Sequence, residues 1–298
     1  MKRLTAMLAA LLLAVSSASA AWMETEVIHY ALPVDFSPGM PVNPDNYVSE
    51  TVYQDPSLTV VISSDFYNGV RYWIADIEIA DASQLRTAAA ESFDSKGAET
   101  GTVLARLMNA VIAVDGDYYC YTSDTPVTIR QGVVFRNKLK KKPGQDVLLI
   151  DEEGDFHGIE DAKEGDVGEE IDGRKVINGF HFGPLLVNNG KIRRNKTNSH
   201  MKSDQPCQRV AIAQTGHLKY RIIVTGPNAR GSRAFRFEDW RRFVADMPDV
   251  QVAYNLDGGD SAVMIFNGQK INDPENTNER PLADIIYFAS AVPEAAIP

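Results

Sequence analysis

Apolar residues along this chain fall in short runs rather than long stripes. Leu58 to Ser63 and Val70 to Ile79 are rich in β-branched and aromatic residues, and the turn-like Asp65 to Gly69 separates them, so they predict a hairpin. Val111 to Val114 predicts a buried strand that runs into Asp115-Gly116-Asp117-Tyr118-Tyr119. Further strands are predicted at Val147 to Ile150, Arg209 to Gln214, Tyr220 to Thr225, Val250 to Leu256, Ala262 to Phe266 and Ile285 to Phe288. Helical spacing is rarer. Asp81 or Ser83 caps a predicted helix through Leu85 and Phe93, and a second helix from Thr100 aligns Val103, Leu104, Leu107 and Met108. Phe237, Trp240, Val244 and Met247 mark a third, amphipathic helix. The expected class is α+β: strand-rich mixed sheets with a few packed helices in a single domain.

Three segments stand outside this pattern. Residues 1–20 read as an export signal: Lys2 and Arg3, an apolar run from Ala6 to Val15, and a small-residue end at Ala18-Ser19-Ala20, after which cleavage is expected. The run is shorter than the roughly 20 residues of a spanning helix, and no later segment is apolar enough to be one. A secreted or periplasmic product follows. Residues 21–57 hold five prolines with little periodicity and predict an extended arm ahead of a body at 58–290. Asp151 to Gly173 carries eleven acids and one Lys between basic flanks at Arg136 to Lys142 and Lys191 to Lys202, which predicts a solvated loop, or else a flap or mutual attraction with those flanks.

Composition narrows the chemistry. With 44% hydrophobic residues in 298, the chain can build a core, and its net charge of -10 argues against a nucleic-acid partner. There is no G-x-S-x-G, H-E-x-x-H or phosphate-binding loop, and the histidines (29, 157, 181, 200, 217) are scattered. Carboxylates and an arginine at strand ends remain. The densest stretch is Tyr254-Asn255-Leu256-Asp257-Gly258-Gly259-Asp260-Ser261, where Asn255 and Asp257 share a strand face and the two glycines are expected to leave backbone amides uncovered for an anion. By composition alone, the same Asp-Gly-Gly reads rather as a hairpin turn.

That stretch, followed by Met264 to Lys270 and by Glu279-Arg280-Pro281-Leu282-Ala283-Asp284, resembles the C-terminal signature of the phosphodiester glycosidase family. Val114 to Tyr119 is similar to the family's N-G-D-[FY]-[FY] element, Phe180 to Val187 to F-G-P-x-L-V, and Gln208 to Gln214 to P-R-T-A-I-G-Q. The family includes the lysosomal enzyme that uncovers mannose 6-phosphate by removing N-acetylglucosamine from its phosphodiester, and bacterial members are often described as exopolysaccharide biosynthesis proteins. Asp115 stands where the family usually has Asn, Asp260 replaces the third Gly of D-G-G-G-S, and Gln208 and Ala213 replace Pro and Gly.

The resemblance implies hydrolysis of a sugar-1-phosphodiester, on a glycopolymer or smaller substrate, to free sugar and phosphomonoester. It gives Asp117, Arg209 and Asp257 as catalytic, and Tyr118, His181, Asn255, Gly258, Gly259 and Ser261 as substrate-binding. A guanidinium meets phosphate with two parallel hydrogen bonds, which suits Arg209. Asp117 and Asp257 are expected at the sugar, Tyr118 or Tyr119 under its ring, and Arg280 paired with Asp284 beneath the glycine turn. No cofactor is implied. Two alternatives stand beside this reading: a carbohydrate-binding protein without catalysis, and a Ca²⁺ or Mg²⁺ site on Asp115, Asp117, Asp257 and Asp260. Cys120 and Cys207, the only cysteines, flank two of these motifs in an exported chain and are expected to form a disulfide.

Overall fold

The computed structural model describes residues 29–121, 125–141, 145–193, 205–227 and 233–293, so the expected export signal lies outside the described residues. Among the described residues the fold is mostly β, three antiparallel sheets carrying two α-helices, so the expected strand-rich sheets are present while the α+β class gives way to a mostly β one. The largest, nine-stranded sheet runs in the order Tyr47–Ser49, Val52–Gln54, Leu58–Tyr67, Val70–Ile79, Lys219–Thr225, Val210–Gly216, Val252–Asn255, Leu185–Asn188, Lys191–Ile192. A second sheet is ordered Phe156–Ala162, Gln145–Asp151, Arg174–Phe180, Val127–Arg130, Val133–Asn137. The third is ordered Gln269–Lys270, Met264–Phe266, Ala110–Asp115, Asp284–Ala289, Leu85–Ala89.

One core joins all three sheets. Trp73, Ile222 and Tyr254 from the first meet Leu148 and Phe180 from the second and Val114, Met264 and Ile286 from the third. Each helix covers an outer face. Helix α1 (Gly101–Leu107) lies on the third sheet through Leu104 and Ala105, while Val103 and Leu107 are 37% and 62% exposed, so the predicted apolar face is rotated. Helix α2 (Phe237–Ala245) buries Phe237, Trp240 and Val244 on Ala211, Ala213 and Ala253 of the first sheet, as its spacing predicts.

The hairpin forms with a tighter turn than expected. Its strands continue to Tyr67, and the turn is only Asn68-Gly69, with φ of 50° and 80°. Those left-handed angles are what a two-residue hairpin turn requires, and Asn-Gly supplies them.

Other expectations change. Asp81 and Gln84 do form a reciprocal cap, but on the three-residue turn Ala82–Gln84, after which Leu85–Ala89 becomes a strand paired with Asp284–Ala289. Part of the expected arm is sheet: Tyr47–Ser49 pairs with Val52–Gln54, which in turn pairs with the hairpin. Upstream, Arg86 holds the chain through the carbonyls of Pro33, Asp35 and Ser37. The acidic block is likewise not one loop, since Phe156–Ala162 pairs with Gln145–Asp151 and Glu170–Ile171 with Arg174–Phe180. Its attraction to the basic flanks is real at Arg193, which pairs with Glu160.

Candidate active site

Strand ends from different sheets bring the quoted motifs together. Asp115 ends the central strand of the third sheet, Arg209 immediately precedes Val210–Gly216, and Asp257 follows Val252–Asn255 by two residues. Backbone hydrogen bonds join them: Asp257 N donates to Gly116 O at 3.3 Å, Gly259 N to Gln208 O at 2.9 Å and Leu256 N to Val210 O at 3.0 Å. Two glycines are required by close approach. A Cβ on Gly258 would stand 2.6 Å from Gln208 O, and one on Gly116 would stand 2.4 Å from Asp284 Oδ1.

A cavity of about 390 Å³ opens at this junction. Its wall includes Tyr118, Phe182, Cys207, Arg209, Asp257 and Arg280, with Asn255, Gly258, Gly259 and Asp260 beside them. Asp257 is buried, and burial pushes its carboxyl up to about 6, although the Ser261 hydroxyl, the Gly258 amide and Arg280 favour the anion. Arg209 Nη2 donates to Gln205 O at 3.1 Å while its Cζ stands 5.5 Å from the Phe237 ring centre. Burial lowers its proton affinity, but a guanidinium starts so high that it stays charged. Arg280 lies with Cζ 5.3 Å from the centre of the Tyr118 ring and donates to the Tyr118 hydroxyl at 3.4 Å. Stacking and hydrogen bonding thus hold both guanidiniums against aromatic rings.

Beneath the cavity lies an ion-pair cluster that the sequence did not disclose. Arg130 Nη2 contacts Asp117 Oδ2 at 2.9 Å and Asp284 Oδ2 at 2.8 Å, all three side chains being buried. The remaining carboxylate oxygens take backbone amides: Phe182 N to Asp117 Oδ1 at 2.8 Å and Asp117 N to Asp284 Oδ1 at 2.8 Å. Arg130 also donates to the carbonyls of Ile129 and Gly179 and stacks at 4.0 Å on Phe180. Burial alone would weaken its hold on its proton, but Asp284 and Asp117 outweigh that and raise it. Arg130 was missed because it is a lone arginine at the end of a short strand, with no motif around it.

This cluster revises several assignments. Asp117 is bound beneath the cavity and does not reach its wall. Asp284 pairs with Arg130 rather than Arg280. His181 donates from its backbone to Asp117 and from Nε2 to the side-chain carbonyl of Gln145, away from the cavity wall. The glycine amides are not uncovered, because Gly258 N donates to Asp257 Oδ1 and Gly259 N to Gln208 O. Asn255 lines the cavity, yet its carboxamide accepts from Trp240 Nε1 at 2.9 Å and donates to Gly183 O at 2.9 Å, fastening helix α2 to the site. Ser261 is buried behind Asp257. Tyr118 stands at the wall, whereas Tyr119 is buried and donates to Ala283 O.

Asp115 is a separate case. Its Oδ1 accepts from Val263 N at 3.1 Å, but its buried Oδ2 has no partner among the described residues. Burial, then the charge of Asp257, raise its carboxyl well above the ordinary range, which favours the neutral acid. A neutral acid has nearly the shape of asparagine. Of the four carboxylates named for the alternative cation site, Asp117 is paired with Arg130. No three His, Cys, Asp or Glu among the described residues are grouped to hold a metal. Nor is there a disulfide: Cys120 and Cys207 are both thiols. Cys120 packs with Phe93, Tyr119 and Ala283, while Cys207 bridges to Phe235 and lines the cavity.

Residues 108–289 match the phosphodiester glycosidase family, well over half of the chain. The chain belongs to that family. No curated protein matches it. Among solved structures, zebrafish N-acetylglucosamine-1-phosphodiester α-N-acetylglucosaminidase, a catalytic domain auto-inhibited by its pro-peptide, aligns with a TM-score of 0.60 and 18% identity, covering 87% of this chain and 97% of that one. A hypothetical protein from Synechocystis aligns with a TM-score of 0.53 and 13% identity, over 80% of this chain and 64% of that one. These likenesses show the fold. No helix among the described residues is long and apolar enough to cross a membrane.

Proposed function

We propose that this family member hydrolyses a sugar-1-phosphodiester at the sugar's anomeric carbon. The observation that carries the reading is one cavity holding Asp257 together with two guanidiniums, Arg209 and Arg280. A departing phosphate is already a stable anion, so positive charge on its oxygens matters more than a general acid. Arg209 and Arg280 provide that charge, and Tyr118 with Phe182 offers an aromatic wall for the sugar ring. Asp257 acts on water. Its carboxyl, raised to about 6 by burial, is largely ionised at neutral pH yet still basic enough to accept a proton. Water's oxygen bonds to the anomeric carbon, its proton passes to Asp257, and the carbon–oxygen bond to phosphate breaks with the electron pair leaving on the phosphomonoester.

Asp117 and His181 serve from below in this scheme. Asp117 fixes the Phe182 loop and His181 its neighbour, while Asp115 supports the Asp257 turn as a neutral acid. The reaction as written needs no metal ion, and the leader at 1–20 delivers the enzyme to an extracytoplasmic glycopolymer or smaller phosphodiester. The zebrafish relative's name makes N-acetylglucosamine the first sugar to try. Purified protein should release free sugar from N-acetylglucosamine α-1-phosphodiesters and leave p-nitrophenyl N-acetylglucosaminide intact, with chelator making no difference. Equal rates on the two substrates would exclude a site built for a phosphate leaving group. Sugar binding without turnover would favour the non-catalytic alternative.

A further inference from the structure

The hydrolase reading accounts for Arg209, Arg280 and Asp257 but leaves one charged group of the cavity unexplained. Asp260 is the exposed residue of the single turn Gly259–Ser261 and lines the same cavity. Its carboxylate forms no hydrogen bond or ion pair with any described residue. Asp257, by contrast, already takes the Gly258 amide and feels Arg280. A carboxylate at the mouth of a phosphate-binding site repels a simple anion, which is a liability unless it selects among phosphodiesters. Charge on the wall points the same way: two guanidiniums face two carboxyls, so a singly charged phosphodiester leaves the occupied cavity negative, whereas a zwitterionic one leaves it balanced.

Building on the hydrolase reading, we infer that Asp260 is a specificity residue for the group beyond the phosphate, and that this group is an alcohol bearing a primary ammonium. The sugar then lies at Tyr118 and Phe182, the phosphate at the guanidiniums, and the ammonium at Asp260 near the cavity mouth. An ammonium there meets an exposed carboxylate, and such a pair is partly screened by salt.

The test compares two N-acetylglucosamine α-1-phosphodiesters that differ in one group, the 2-aminoethyl and 2-hydroxyethyl esters, at low ionic strength. Wild-type protein is expected to prefer the aminoethyl ester by about 1.5-fold to fivefold in kcat/KM, the range given by an exposed ion pair. Asp260→Asn should bring the ratio to about one, Asp260→Glu should keep a preference, and about 0.5 M NaCl should shrink it in wild type. A wild-type ratio of one, or a ratio unchanged in Asp260→Asn, overturns the inference while leaving the hydrolase reading standing. Hydrolysis of neither ester removes the hydrolase reading and this inference with it.

Discussion

Two sets of carboxylates and arginines lie one above the other, and their difference separates structure from chemistry. In the lower set, Arg130, Asp117 and Asp284 are buried and satisfy one another and nearby backbone groups. In the upper set, Asp257, Arg209 and Arg280 use aromatic faces, a carbonyl and an amide for support while lining a cavity. The same residue types therefore do opposite work. A charge whose neighbours complete its coordination fixes geometry, whereas a charge held at a cavity wall can meet a ligand.

The largest expected effect lies in the lower set. Arg130→Met leaves two buried carboxylates without their cation and should cost about 3 to 5 kcal/mol in chemical denaturation. A loss under about 1 kcal/mol would mean that the cluster is not what joins the second and third sheets at this point. In the upper set the balance should invert. Asp257→Asn and Arg209→Ala should each lower kcat/KM by about 10² or more. The folded Asp257 carboxyl is raised to about 6, so at neutral pH its ionisation opposes folding, and Asp257→Asn should melt no lower than wild type. A Tm fall like that of Arg130→Met would erase the distinction between the two sets. The acidic limb of kcat/KM should fall near pH 6, where the free enzyme's Asp257 takes up its proton.

Asp115 sits between the two sets and sharpens the contrast more gently. Its folded carboxyl keeps a proton that the unfolded chain releases above about pH 4. Stability is therefore lost as pH rises through that window. Asp115→Asn should raise Tm, with an advantage over wild type that grows by about 1.4 kcal/mol per pH unit from about pH 4 upward to the folded carboxyl's own titration. An advantage constant with pH would mean that Asp115 is ionised in the folded protein.

How much of this could be read in advance follows from where each signal resides. Alternation and β-branching disclosed the hairpin and the Ala110–Asp115 strand, since both patterns are local. The Asp81–Gln84 cap is also local, but it specifies only how a turn begins. Pairing with Asp284–Ala289, nearly two hundred residues away, makes Leu85–Ala89 a strand. The site divides in the same manner. Asp257, Arg209 and Tyr118 were legible because their motifs place them at strand ends, and all three reach the cavity. Asp117 carries as strong a motif, yet whether it faces the cavity or Arg130 depends on a partner in a sequence without marks. The Gly258 and Gly259 amides were assigned to an anion because sequence shows that a glycine exposes its amide, but not that Asp257 and Gln208 already accept from it.

The central claim is that bond cleavage occurs at the anomeric carbon, with Asp257 directing water there and the two guanidiniums receiving the phosphate. Hydrolysis of an N-acetylglucosamine α-1-phosphodiester in ¹⁸O-labelled water, followed by mass spectrometry of both products, tests it most directly. One label in the released sugar and none in the phosphomonoester is the predicted result, provided the sugar is sampled before its anomeric oxygen exchanges with solvent. Label in the phosphomonoester, with unlabelled sugar, would show attack at phosphorus and contradict the account.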